Sequence, residues 1–554
     1  VAIEDGARFD FVVVGAGSAG CVLANRLSAD PNVKVALIEA GGRDNSMLVR
    51  MPAGSGSILP SRGPFNWGFD SAPQERLEGR RLYQPRGRGW GGTSSINGMI
   101  YIRGHARDYD HWRQMGLAGW GYRDVLPYFK RAETNDRGAD PWHGDAGPLF
   151  VSSSRRSSPL YQAFVQAGVA AGYPLTKDFN GWRQEGVGLY QFTIRDGERA
   201  SASASYLRPI VGVRNNVAIV SKAHATKALI EDGRAVGVEY ERGRRRNVIY
   251  AEREVILCAG AFQSPQLLML SGVGPAQELR KHGVAVLTDS PDVGRNLQDH
   301  FDVGLVWNCT KPITVYSMTK GWRRLKVGLD YMIARKGPGR VNHLEAGGFV
   351  KTRGELDRPD IQLHFFDANF FDHARVRPDR DGFAVHACQL RPESRGEVRL
   401  NSPDPFADPL IDPNYLATET DRRTMRDAVR ITRRVVEQDA LKTYRGAEVR
   451  PGPDVRTDSE VDAWIRQTGE TIYHPVGTCR MGADPRSVVD AELRVRGVAG
   501  LRVVDASVMP ALVGGNTNAP TIMIAEKASD MILGKPALAP EDAPIAEDAL
   551  AEAV

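Results

Sequence analysis

Residues 9 to 39 constrain this chain more than any other stretch. An apolar run from Phe9 to Val14 leads through Gly15-Ala16-Gly17-Ser18-Ala19-Gly20 and later into Val35-Ala36-Leu37-Ile38, which stops on Glu39. That order predicts a strand, a tight turn, a helix and a second parallel strand, the half-unit of a dinucleotide-binding sheet. Gly15 suits the turn, Gly17 with Ser18 beside it lets main chain approach a pyrophosphate, and Gly20 lets helix and strand pack closely. Free N–H groups at the helix start face phosphate charge. Glu39, about 20 residues beyond the glycines, is placed to accept from a ribose hydroxyl.

A chain of 554 residues exceeds one simple core, so two domains are expected, with volume enough to enclose a large cofactor. Its 72 basic and 67 acidic residues leave a net charge of only +5, without a basic run interleaved with aromatics, so no nucleic-acid partner is expected. The densest basic cluster, Arg242 with Arg244 to Arg246, lies between Tyr240 and Val255 and reads as a solvated hairpin tip. Five cysteines without paired spacing suit a reducing compartment, taken as the cytoplasm. No apolar stretch approaches the roughly 20 residues of a membrane helix. A soluble protein is therefore expected, with peripheral membrane contact and a removed leader both left open. Neither His-Glu-x-x-His nor Cys-x-x-Cys is present, and no metal is expected.

Periodicity predicts helices over Tyr122 to Glu133, Leu160 to Ala171, Asp421 to Glu437 and Ala519 to Leu533. Strands are expected at Val217 to Ser221, in a hairpin turning at Asp232-Gly233, and at Glu254 to Cys258, Phe383 to Leu390 and Leu501 to Val504. Pro52 to Gly104 is rich in Gly, Pro and aromatics and reads as an ordered functional loop region. The fold expected is α/β: a Rossmann-like domain from 1–155, 196–303 and 472–535, and a discontinuous α+β domain on an antiparallel sheet from 156–195 and 304–471. Residues 536–554, rich in Ala, Pro and acids, are expected to be disordered.

Four further blocks carry a resemblance. They are Gly89-Trp-Gly-Gly-Thr-Ser-Ser-Ile-Asn-Gly98, Gly260 to Pro265 continued by Ser271-Gly-Val-Gly-Pro275, Tyr473-His-Pro-Val-Gly-Thr478, and Asp505 to Lys527. The chain resembles the glucose-methanol-choline (GMC) oxidoreductases over nearly its whole length. Within that family Ile100 to Gly104, Val293 to His300 and Glu345 to Phe349 resemble the choline-dehydrogenase branch. The resemblance implies FAD, with Gly92, Thr93, Asn97 and Gly98 flanking the flavin ring, Trp67 lining it, and Ala225 holding adenine through its backbone. It places Asp505 and Ala506 at pyrophosphate and ribityl, and Asn516 in the turn beside the flavin. Relatives that bind the flavin covalently carry a histidine just before Asn97. Here that residue is Ile96, so the FAD is expected to be noncovalent.

Oxidising a primary alcohol needs a base for the hydroxyl proton and an acceptor for the hydride of the same carbon. The resemblance assigns these to His474, whose neutral imidazole suits general-base work, and to flavin N5. Asn518 is aligned with the second catalytic place, orienting the substrate oxygen. Glu345 corresponds to a carboxylate that faces a quaternary ammonium, and Tyr473, Trp67 or Phe366 would add cation–π attraction. Glu345 equally suits a salt bridge to Arg340 or Arg391, and Arg391 would itself repel a cation. The expected partners are a small-molecule alcohol, choline first, and a quinone or other acceptor rather than NAD or oxygen. Aliphatic, aromatic or polyethylene-glycol-type alcohols are the alternative substrates. A flavin-containing lyase or photodecarboxylase is the alternative of another class. Oligomeric state is not set by these residues.

Overall fold

A computed structural model describes residues 3–155, 157–376 and 378–546. Residues 11–14 and the whole of Val35–Glu39 are buried. Parallel strands covered on both faces have no solvent side to mark with polar residues, which is why these runs are unbroken rather than alternating. Ala7–Val14 lies between Val35–Glu39 and Arg245–Leu257, parallel to both. Val217–Ser221 extends the sheet beyond Val35–Glu39, and Leu501–Val503 joins Arg245–Leu257 from the far end of the chain. The hairpin of His224–Glu231 and Arg234–Arg242 completes it.

The last long strand begins at Arg245, well before the expected Glu254. Its charged first half gains its ladder partners from Arg234–Arg242, a pairing that hydrophobicity does not report. Residues 242–246 sit at the exposed tip of that hairpin.

A second sheet faces the first. Phe301–Cys309 and Gly382–Gln389 form its centre, with Ile361–Phe366, Ala346–Val350 and Gly186–Leu189 to one side and Arg445–Arg450 to the other, all antiparallel. Helices Pro159–Ala170 and Glu419–Val436 lie on one face. Successive side chains alternate across a strand. Leu363 and Phe365 therefore join the core under those helices, while His364 and Phe366 point into a cavity between the sheets.

The opening helix Ser18–Leu27 packs along the terminal helix Asn518–Ile532, which is buried on nearly every side. A helix so enclosed can hold a carboxylate only if cations come with it. Glu526 is fully buried and receives Arg26 at 2.8 Å, Arg131 at 2.9 Å and the Tyr206 hydroxyl at 2.9 Å. No helix among the described residues is long and apolar enough to cross a membrane.

The expectation of a disordered tail is corrected for residues 536–546. Leu538 N–H donates to the Tyr128 hydroxyl, Glu541 pairs with Lys130 at 2.5 Å, and the Trp142 indole donates to the Pro544 carbonyl. Ile545 and Ala546 are buried. A low-hydropathy segment is held here by polar contacts to a finished surface, which its own composition does not display. Residues 547–554 lie outside the described residues.

Because two arginines and a tyrosine converge on one enclosed carboxylate, Glu526→Gln is expected to destabilise the fold by about 3 kcal/mol, the lower end for breaking a buried pair. Urea unfolding of the two proteins measures it, and an unchanged midpoint would show that the ion cluster contributes nothing net.

Candidate active site and cofactor cavity

A cavity of about 1200 Å³ separates the two sheets. Val14 and Ile38 reach it from the parallel sheet, with Cys258 just past its long strand, His364 and Phe366 from the antiparallel one, and residues 51–53, 55–57, 59–60, 85–87, 92–93 and 96–100 from the long loop region. That volume exceeds what one small ligand fills and suits a large cofactor together with a substrate. The first turn is built to keep main chain open to it. Gly15 has φ +101°, and a Cβ there would lie 2.5 Å from the Cys258 carbonyl oxygen. Gly20 does not line the cavity: it lets the helix close on the turn, since a Cβ would lie 1.8 Å from the Gly15 carbonyl oxygen.

At the opposite wall, hydrogen bonds dictate where the protons sit on two histidines. The Leu390 carbonyl, which can only accept, is 3.2 Å from His300 Nε2, so that nitrogen carries the proton and His300 Nδ1 accepts. His474 Nδ1, 3.0 Å away, must then be the donor. That leaves the lone pair of His474 on Nε2, where the Asn516 amide nitrogen approaches at 3.1 Å. Gln362 Nε2 donates to Asn516 Oδ1 at 3.1 Å and so fixes which end of the Asn516 amide faces His474. The outcome is an unprotonated imidazole nitrogen beside an amide N–H, at the edge of the cavity.

Electrostatics keep that imidazole neutral. Burial, then the neighbouring His300, His364 and Arg86, holds His474 well below its ordinary value. Burial likewise lowers His300 to about 3 and His364 to about 4. The backbone N–H of His474 donates to Asp299 at 2.8 Å, and the same carboxylate takes the Tyr415 and Thr471 hydroxyls. Tyr473, just before the histidine, has φ +76°, an unfavourable conformation for a bulky residue. It persists because its N–H bonds Thr471 Oγ at 2.8 Å, its carbonyl takes Arg86 at 2.8 Å and its hydroxyl meets His373 Nδ1 at 2.7 Å.

The cavity is lined by Gly15, Gly17, Ser18, Glu39, Trp67, Gly92, Thr93, Asn97, Gly98, Ala225, Asp505, Ala506, Asn516, Asn518, Tyr473 and His474. Several have first duties within the chain. Glu39 accepts the N–H groups of Ala16, Gly41 and Gly89 at 2.7 to 2.9 Å, stapling the glycine turn to the loop region, with lone pairs to spare. Asn97 accepts from the buried Arg199 at 2.7 Å, and Asp505 holds Gly260 N–H and Ser264.

Two expectations are corrected. The asparagine beside His474 is Asn516, not Asn518. Asn518 opens the terminal helix and accepts the Ser18 hydroxyl at 2.8 Å, because the turn that reaches the histidine lies at Asn516, with only Thr517 between it and the helix start. Glu345 is not in the cavity. It is buried, with its carboxylate on the Ser154 hydroxyl and on the Ser157 hydroxyl and N–H. The residue before it, Leu344, lines the cavity instead, just ahead of the strand Ala346–Val350. Arg391 is spent on Asp108 at 2.5 Å.

Three contributors went unread in the sequence. His300 closes the Val293 to His300 block without being marked there for this role, and His364 bears no local mark beyond being a histidine. Arg86 had one, the Pro85-Arg-Gly-Arg-Gly run entering the glycine block. Its guanidinium lines the cavity, 5.2 Å from the Phe262 ring centre, lowered by burial to about 10 and hence still cationic. Its Nε and Nη2 are buried without a partner among the described residues, an arrangement that calls for an anionic or carbonyl-bearing occupant. The open glycine turn, the cavity volume and this waiting cation fit FAD.

A fold that clamps a dinucleotide against an unprotonated imidazole is equipped to take both hydrogens from a carbinol, and the class in hand is the FAD-dependent alcohol oxidoreductases. Family models described as GMC oxidoreductase match residues 9–302 and 392–525. The chain is 47% identical over 97% of its length to mitochondrial choline dehydrogenase of Mus musculus, covering 91% of that protein. It is 46% identical to the oxygen-dependent choline dehydrogenase of Brucella anthropi, covering 96% of this chain and 97% of that one. Among solved structures it superposes on pyridoxine 4-oxidase from Mesorbium loti with a TM-score of 0.87, at 34% identity, covering 95% of this chain and all of that one. A formate oxidase gives 0.90 at 28% identity, covering 96% and 99%. The chain belongs to the GMC oxidoreductase family.

The neutral histidines make a pH prediction. For His300, His364 and His474 the folded value lies below the ordinary 6.5, so as pH falls through 6.5 the unfolded chain binds protons that the folded one refuses. Their stabilising contribution is whole above pH 6.5 and declines below it. His364→Gln removes one such site and should flatten the fall of Tm between pH 6.5 and about 4. An identical slope in the variant would mean that this imidazole is already charged in the fold.

Proposed function

We propose that the protein oxidises a primary alcohol to an aldehyde, with His474 Nε2 as the base and the Asn516 amide as the group that holds the substrate oxygen. What carries this reading is the directed chain from the Leu390 carbonyl through His300 to His474, which leaves the lone pair on the nitrogen next to Asn516. A hydroxyl set between them donates to Nε2 and accepts from the amide N–H. As the proton leaves, negative charge grows on oxygen, and a donor already aimed there stabilises it without reorganising. Bound in the cavity, FAD supplies the acceptor for the hydride of the same carbon. Ile96, buried at the cavity wall, offers no nucleophile, which supports noncovalent attachment and release of FAD by acid. A quinone or another carrier is the acceptor proposed for the electrons.

Choline is the first substrate proposed, on the strength of relatives named choline dehydrogenase. Phe366 and Phe370, stacked at 4.7 Å, and the Tyr473 ring offer π-faces at the cavity wall. A second reading, a neutral aliphatic, aromatic or glycol-type alcohol, is favoured by Glu345, whose carboxylate is turned onto Ser154 and Ser157. Among the described residues, the carboxylates lining the cavity are Glu39 and Asp505, both engaged at the parallel-sheet side.

Anaerobic mixing separates these readings. Choline and its neutral isostere, with carbon in place of nitrogen, are each followed by loss of oxidised-flavin absorbance. Faster bleaching by choline supports the cation site, and equal or faster bleaching by the isostere supports the neutral alcohol. No bleaching by any alcohol would sink the oxidation itself. In the same assay His474→Ala should slow reduction about 10²- to 10⁴-fold and Asn516→Ala about 10²- to 10³-fold. Asn518→Ala should cost less than about tenfold, and a larger loss there than at Asn516 would reverse the assignment.

A further inference from the structure

The helix Arg323–Ala334 is turned inside out. Leu325, Leu329, Met332 and Ile333, with Trp322 just before the helix, recur at three- and four-residue spacing and so share one face. That face stands in solvent: Trp322 is 70% exposed, Leu325 73% and Ile333 83%. The inner side carries Tyr331, which is buried, and Val327 and Gly328, which line the cavity. A surface helix of a water-soluble domain has the reverse arrangement, and a contiguous exposed apolar face marks a site of contact.

Charge says what makes that contact. Between positions 320 and 336 there are six basic residues, Lys320, Arg323, Arg324, Lys326, Arg335 and Lys336, against one acid, Asp330, and all six bases are exposed. A second copy of the chain is a poor occupant, because a twofold contact would set this face against itself and bring base against base. An apolar stripe edged with cations matches the interior and the headgroups of an anionic bilayer. The geometry beside it agrees. Arg324, Val327 and Gly328 belong both to this helix and to the cavity rim, where the half-exposed Leu48 and Val376 also lie.

We propose that this helix docks the protein on an anionic membrane surface, with Trp322, Leu325, Leu329, Met332 and Ile333 at the headgroup–acyl boundary and the cavity rim against the bilayer. The inference does not depend on which alcohol is oxidised. It is tested with the FAD-loaded protein by co-sedimentation with phosphatidylcholine vesicles and with vesicles that also contain phosphatidylserine. Binding is expected to the second, to weaken in high salt, and to fall roughly fivefold for each of Arg323→Gln and Lys336→Gln. The double variant Leu325→Ser with Ile333→Ser should lose at least about tenfold, while reduction of its flavin by alcohol without vesicles stays at the parent rate. Failure of the parent to bind, or equal binding by the double variant, overturns the proposal. So does concentration-dependent self-association of the parent that the double variant abolishes, which would make the face an interface between copies.

Discussion

A carbonyl oxygen has lone pairs and no proton, and at Leu390 that fact orders the candidate active site. It obliges His300 to donate outward, which obliges His474 to donate to His300, which leaves one imidazole nitrogen bare next to Asn516. Each link is an ordinary hydrogen bond. Their sequence, anchored at a group that cannot reverse, selects the tautomer that a base requires. The second sheet makes this possible by bringing Gln362 to Asn516, 154 residues away in the chain, and His364 to the same cavity wall.

Burial supplies the other half of the design. Cationic imidazole is penalised in an enclosed site, more so beside Arg86 and two further histidines, so His474 stays neutral. The same enclosure leaves Arg86 with two nitrogens unpartnered among the described residues and lets Tyr473 keep a strained backbone under three hydrogen bonds. Such features are costs to stability unless something occupies the cavity. They cluster at the wall where His474 stands, the side on which the proposed function sets the substrate.

Much of the framework was legible because its signals are local. The glycine turn, the buried parallel strands and the acid that follows them lie within one short stretch, and the helices at 122–132 and 419–436 declare themselves by period. The errors share a cause. Asn516 and Asn518 are equivalent as letters, and only the turn before the terminal helix shows which one reaches His474. Glu345 looked like a charge for the cavity, yet just ahead of the strand Ala346–Val350 its carboxylate is taken by Ser154 and Ser157. Helix Arg323–Ala334 was unread because amphipathic spacing states that one face is apolar and not which way that face looks.

By itself the sequence determined that a dinucleotide is bound, that main chain must come close to it, and that a histidine in Tyr-His-Pro-Val-Gly-Thr stands ready, since these depend on backbone freedom and residue chemistry over a few positions. Tertiary structure alone decided which asparagine meets that histidine, where its proton resides, which carboxylate is kept from the cavity and which helix face meets solvent. Those are properties of pairs of distant residues, set by sheet register and by packing, and no single stretch of chain contains both members.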